Sequence, residues 1–154
     1  MLKRTYNITK NILSQIQKIK TLSKIKPTTQ INFAHFQATA GFFKHGKAKD
    51  EAGREEGTKL ILESFDALVN FLNDLKKPFI GGESPGFNDY MFWPFMQRIA
   101  LRHKKLVDKN ATVKSYCEKM VGDESVKACR HPDSLENRFW DGYFHTGKPE
   151  YNIY

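Results

Sequence analysis

The sequence predicts an all-α fold, and three observations carry that prediction. Apolar residues recur at spacings of three and four over long stretches, as amphipathic helices require. The alternating apolar and polar runs of half-buried strands are missing. Pro27, Pro78 and the glycine-rich run from Gly81 to Gly86 punctuate the periodic stretches as helix ends and a loop. The chain has 154 residues, 40% of them apolar, with 12 Phe, 6 Tyr and 2 Trp to build a core. That is the size and composition of one globular domain.

The elements follow in order. Ile8, Ile12, Ile16, Ile19, Leu22 and Ile25 form one stripe, separated by Lys and Gln, up to Pro27. A second helix is expected from about Thr29 to Lys44, with Phe33, Phe36, Ala40 and Phe43 on its buried side and Gly46 as its end. The third, Asp50 to Lys76, shows Leu60, Phe65, Leu68, Leu72 and Leu75 at helical spacing. Acidic residues at its start and Lys76 and Lys77 at its end complement the helix dipole. After the loop from Phe79 to Gly86, Phe87 to His103 is apolar on nearly every side, the pattern of a buried central helix. Shorter helices are expected near Thr112–Met120, Glu124–Cys129 and Ser134–Phe144, giving six or seven in all.

Charge divides the chain. Residues 1–49 hold ten Lys or Arg and no Asp or Glu; residues 50–154 hold fifteen basic residues and seventeen acidic ones. The net +8 therefore belongs to the first third, which argues against a nucleic-acid-binding protein. No stretch reaches the ~18 apolar residues of a transmembrane segment, and no secretory signal is visible. The basic N-terminal stripe has three readings: an ordinary solvated helix, a mitochondrial presequence over residues 1–26, or a surface for an acidic partner or membrane. Cys117 and Cys129 show neither disulfide nor zinc spacing and read as reduced, partly buried thiols. The five histidines show no metal-ligand spacing.

The most informative local feature is Gly86-Phe87-Asn88-Asp89. With Gly86 as N-cap, Asp89 stands at the third helical position, from which a carboxylate can reach back to the cap N–H. Phe87 is expected to pin the loop to the core, and Pro94 to kink the helix. Gly86→Ser is expected to stabilise by a few tenths of a kcal/mol.

The run Phe79-Ile80-Gly81-Gly82-Glu83-Ser84-Pro85-Gly86-Phe87-Asn88-Asp89-Tyr90-Met91-Phe92-Trp93-Pro94-Phe95-Met96-Gln97-Arg98 resembles the central helix of omega-class glutathione transferases. That family shows Phe-Phe-Gly-Gly, then Ser/Thr-x-x-Asp-Tyr, then Trp-Pro-x-x-x-Arg. Val126-Lys127-Ala128-Cys129, Trp140 and Pro149-Glu150-Tyr151 extend the likeness, which covers about residues 33–154. Gly86 stands where the family has Ser or Thr. Residues 1–32, a basic amphipathic segment, do not resemble the family's thioredoxin-like domain, which binds glutathione and carries the catalytic cysteine.

The resemblance implies a glutathione transferase C-terminal-like helical domain over residues 33–154 that walls the pocket for a small electrophilic second substrate. It implies glutathione as cosubstrate of the family's thiol transfer, dehydroascorbate reduction and conjugation, with no catalytic, cofactor-binding or metal residue in this chain. Arg98 matches the motif Arg and Trp140 the Trp of the C-terminal helix; Phe95 and Tyr143 lie one turn from each. Each has a plainer reading: a salt bridge or snorkelled stem for Arg98, and core packing for Trp140 and Phe95. Gly86 and Asp89 read as a structural cap. Oligomeric state stays open, because the family's homodimer uses both domains. The family is cytoplasmic, with a mitochondrial location as the alternative if residues 1–26 are a presequence. The alternative function is a non-catalytic helical binding or scaffolding module.

Overall fold

The structure, a computed structural model, describes residues 27–149; the N-terminal stripe from Ile8 to Ile25 and residues 150–154 lie outside them. Helix α1 spans Pro27–Lys47, starting at a proline whose fixed φ suits the first turn. It runs through the expected 32/33 division without a break. α2 spans Glu51–Leu75 and packs antiparallel-wise against α1 as the main helix pair, with Gln37 Nε2 donating to Glu63 Oε2 at 2.6 Å between them. Asp50 caps α2 by accepting from Gly53 N, and Lys76 ends it in the left-handed region at φ 54°.

α3 spans Phe87–Arg102 and continues across Pro94 to its end. α4, Lys104–Asp108, is a short helix that the sequence pattern does not reveal. α5 spans Ala111–Gly122, capped by Asn110; α6 spans Glu124–Cys129, capped by Asp123. α7 spans Asp133–Asp141 and passes into a π-helical turn, Gly142–Thr146. Among the described residues every regular element is helical, so the all-α expectation stands. None of these helices is long and apolar enough to cross a membrane.

The buried faces differ from the expected ones in three places. α1 buries Ile31, Ala34, Ala38 and Phe42, while Phe36 is 68% exposed and Phe33, Ala40 and Phe43 are half-buried. The stripe follows the small residues, because α1 and α2 approach too closely for aromatic rings between them. A Cβ at Gly41 would lie 2.8 Å from Gly57 O and Ile61 N, and one at Gly57 would lie 2.5 Å from His45 N. α2 accordingly buries Gly57, Ile61, Ser64, Phe65, Leu68, Phe71 and Leu72, leaving Leu60 half-buried and Leu75 exposed. α3 is not buried all round. It buries Asp89, Phe92, Trp93, Met96 and Ile99, while Phe87, Tyr90 and Met91 face outward.

Gly46 does not end α1. It lies inside the helix as the seat of Phe144, whose ring atoms would stand 2.3 Å from a Cβ there. Cys129 is exposed, contrary to the partly buried reading; Cys117 is buried.

Candidate functional site

The loop ahead of α3 is built on Asp89. Its side chain is fully buried, and its two oxygens accept from Ile80 N at 2.9 Å, Gly81 N at 2.7 Å and Gly86 N at 2.9 Å. A carboxylate accepting several backbone N–H groups is a strong, charge-assisted anchor. The Gly86 contact is the expected back-reach from the third helical position. The Ile80 and Gly81 contacts extend the cap into a clamp on the whole loop, closed by the Phe79–Gly82 bridge.

Phe87 does not pin this loop; it is 77% exposed. Gly81 and Gly86 touch backbone to backbone, so a Cβ at Gly86 would come within 3.0 Å of Gly81 Cα. The gain expected from Gly86→Ser is therefore opposed by a contact that no cap rule contains.

α3 is thus fixed at its start, and its second half carries the site. Arg98 lies over two rings at once, 5.3 Å from the Phe95 centroid and 4.8 Å from that of Trp140. Burial lowers the Arg98 pKa, and Glu136 counters that shift. Glu136 Oε2 also accepts from Trp140 Nε1 at 3.1 Å, so one carboxylate steadies both the indole and the guanidinium. Tyr143 packs edge-on against Trp140 at 5.6 Å and against Phe43 of α1 at 6.0 Å. Lys47 Nζ sits 4.9 Å from the Tyr143 centroid. The four residues Arg98, Phe95, Trp140 and Tyr143 thus converge from α3, α7 and the π-helical turn. Trp140 is buried and also serves the core, while Arg98, Phe95 and Tyr143 are half-buried at its edge.

On the other side of α7 lies a cleft of about 480 Å³. Phe42 and Phe144, both in ring contact with Trp140, form its apolar wall. Its polar lining includes His45, Arg54, Arg102, His103, Asp141 and His145. Arg102 Nη2 donates to Asp141 Oδ1 at 2.7 Å. The His45 and His103 rings meet edge to face with centroids 4.3 Å apart. Burial, then His45 and Arg102, bring the His103 pKa down to about 4. Burial and the Arg54 and Arg102 charges lower that of His45, with Glu51 opposing.

This cluster leaves no joint signature in the sequence, because its members come from α1, α2, α3 and the last turn with no shared spacing. The one local signal was the pile-up of basic residues at helix C-termini, His45 in α1 and Arg102 in α3, which the helix dipole explains equally well.

Cys117 is not built for attack. Burial pushes the Cys117 pKa up to about 12, aided by Glu118, whereas a reactive cysteine needs a lowered one. Among the described residues no group of three His, Cys, Asp or Glu could hold a metal ion.

No family model matches the chain, and no solved structure matches it.

Proposed function

We propose that this helical domain forms the second-substrate wall of a glutathione-dependent transferase of the omega type, working with a thioredoxin-like domain that supplies glutathione and the nucleophile. The convergence of Arg98, Phe95, Trp140 and Tyr143 carries the reading. Two motifs that are more than forty residues apart in sequence meet at one guanidinium held between aromatic rings. Such a surface suits an apolar electrophile with a carbonyl or carboxylate: the rings cover its body and the cation orients its oxygen.

A second observation agrees. Phe87 and Met91, 77% and 49% exposed, line one groove with Asn32 and His35 of α1. Exposed apolar groups gathered on one side of a domain mark a surface that a partner covers.

In this assembly the chain's own residues bind and orient the acceptor. They do not activate glutathione, since Cys117 is buried and held protonated. The exposed Cys129 sits at the C-terminus of α6. That placement is also what a non-catalytic binding module would show, and the test separates the two.

Endogenous protein, captured by antibody, is weighed intact and assayed for glutathione-dependent dehydroascorbate reduction. The proposal expects activity, with either a mass above 17.9 kDa by an additional domain or a tightly held partner of on the order of 100 residues. Arg98→Ala then raises KM for the acceptor about tenfold and leaves KM for glutathione unchanged. A lone 17.9 kDa protein without activity overturns it in favour of the binding module.

A further inference from the structure

The cleft beside α7 holds more cationic and protonatable groups than its packing requires. His45 comes from the last turn of α1 and His103 from the junction of α3 and α4, and their rings touch at 4.3 Å. Arg54 enters from the first turn of α2, Arg102 from the last turn of α3 and His145 from the π-helical turn. The acidic groups facing them are Asp141 on α7 and Glu51 on α2. Asp141 accepts from Arg102 at 2.7 Å, and Glu51 accepts from Arg54 Nε at 2.9 Å. A guanidinium has five N–H donors in a fixed fork. Arg102 uses one on Asp141 and makes a long contact of 3.4 Å to Asn137 Oδ1, so its fork retains donors for a further acceptor.

We propose that this cleft seats an oxyanion: a small-molecule ligand, distinct from the acceptor held at Arg98, whose carboxylate or phosphate lies between the His45–His103 pair and the Arg54 and Arg102 guanidiniums. The seat is separate from the Arg98 surface and stands on the cleft's own residues. The volume, about 480 Å³, falls in the range of small-molecule sites and leaves room for an apolar body against Phe42 and Phe144.

Two imidazoles in contact, next to two guanidiniums, resist protonation while no anion is bound between them, since Asp141 and Glu51 are already engaged by Arg102 and Arg54. An oxyanion between them reverses that balance. Coupling is reciprocal: an anion that favours proton uptake binds more tightly to the protonated form by the same factor. Affinity therefore rises as pH falls through the mildly acidic range.

The test follows the imidazole C–H proton signals of the five histidines against pH, in the chain itself, with and without inorganic phosphate, and in parallel with benzoate. His45→Gln and His103→Gln assign the two signals. The seat expects these two midpoints to rise by about one unit with at least one anion, equivalent to about tenfold tighter binding to the protonated form. Arg102→Gln weakens the response about tenfold, the loss of one charged hydrogen-bonding partner. Asp141→Asn, which releases Arg102, strengthens it, and so guards against a variant that merely unfolds.

A response to phosphate alone identifies a phosphoryl ligand; one to benzoate alone identifies an aryl carboxylate. Midpoints unmoved by either anion, or a shift shared equally by all five histidines as salt screening would give, overturns the seat. The outcome is separable from that of the transferase reading. Titration with an inactive endogenous protein keeps the seat and discards the transferase. An active enzyme whose histidines ignore both anions discards the seat alone.

Discussion

Asp89 shows how one side chain can fold a whole loop onto the start of a helix. It receives three backbone N–H groups from a loop that is otherwise tied by the Phe79–Gly82 bridge, and it does so without exposure to water. Removing it leaves those donors without their acceptor in a buried place, so Asp89→Ala is expected to cost about 3 kcal/mol or more. Chemical denaturation measures this directly, and a loss below about 1 kcal/mol, the size of an ordinary N-cap, would show that the loop contacts contribute nothing. The motif revealed the cap to Gly86, because that contact is local. It did not reveal the contacts to Ile80 and Gly81, which depend on the loop folding back over the helix start.

At the scale of elements, the α1–α2 pair is governed by two glycines rather than by its phenylalanines. Helix propensity alone favours Gly57→Ala by about 1 kcal/mol. The crossing decides otherwise, since the added Cβ would meet His45 N at 2.5 Å and His45 Cα at 2.7 Å, both backbone atoms that cannot rotate away. Overpacking of this kind costs about 1–3 kcal/mol, so the net change is destabilising. A higher urea midpoint for Gly57→Ala would contradict the close crossing. The same contact bears on the site, because Gly57 lies beneath the backbone of His45, and separating the helices moves one wall of the cleft. Apolar periodicity placed the helices within a few residues but chose the wrong face of α1. Periodicity registers hydrophobicity, and here the interface selects for small size.

For the whole molecule, the cleft links the site to stability. In the folded chain His103 and His45 hold protons less tightly than in the unfolded chain, with His103 at about 4 against 6.5. Between those values the unfolded state binds more protons, so stability rises with pH there. The contribution is fully present above 6.5 and is lost as pH falls towards about 4. Melting temperature is expected to drop on acidification across this window, and His103→Gln to flatten the drop. An unchanged slope in the variant would remove His103 as its source. An anion in the cleft offsets the same loss, so phosphate or benzoate should protect the wild-type chain more at low pH than at high.

The sequence by itself determined the helical class and the cap at Gly86 and Asp89. These were readable because each depends on spacing within one helix or on a compact motif. Only the tertiary structure decided which face of α1 is buried, that Phe87 and Met91 face outward, and that two histidines and two arginines share a cleft. Those features arise where separate helices meet. His45 comes from α1 and His103 from the α3–α4 junction, and no spacing along the chain encodes the 4.3 Å between their rings.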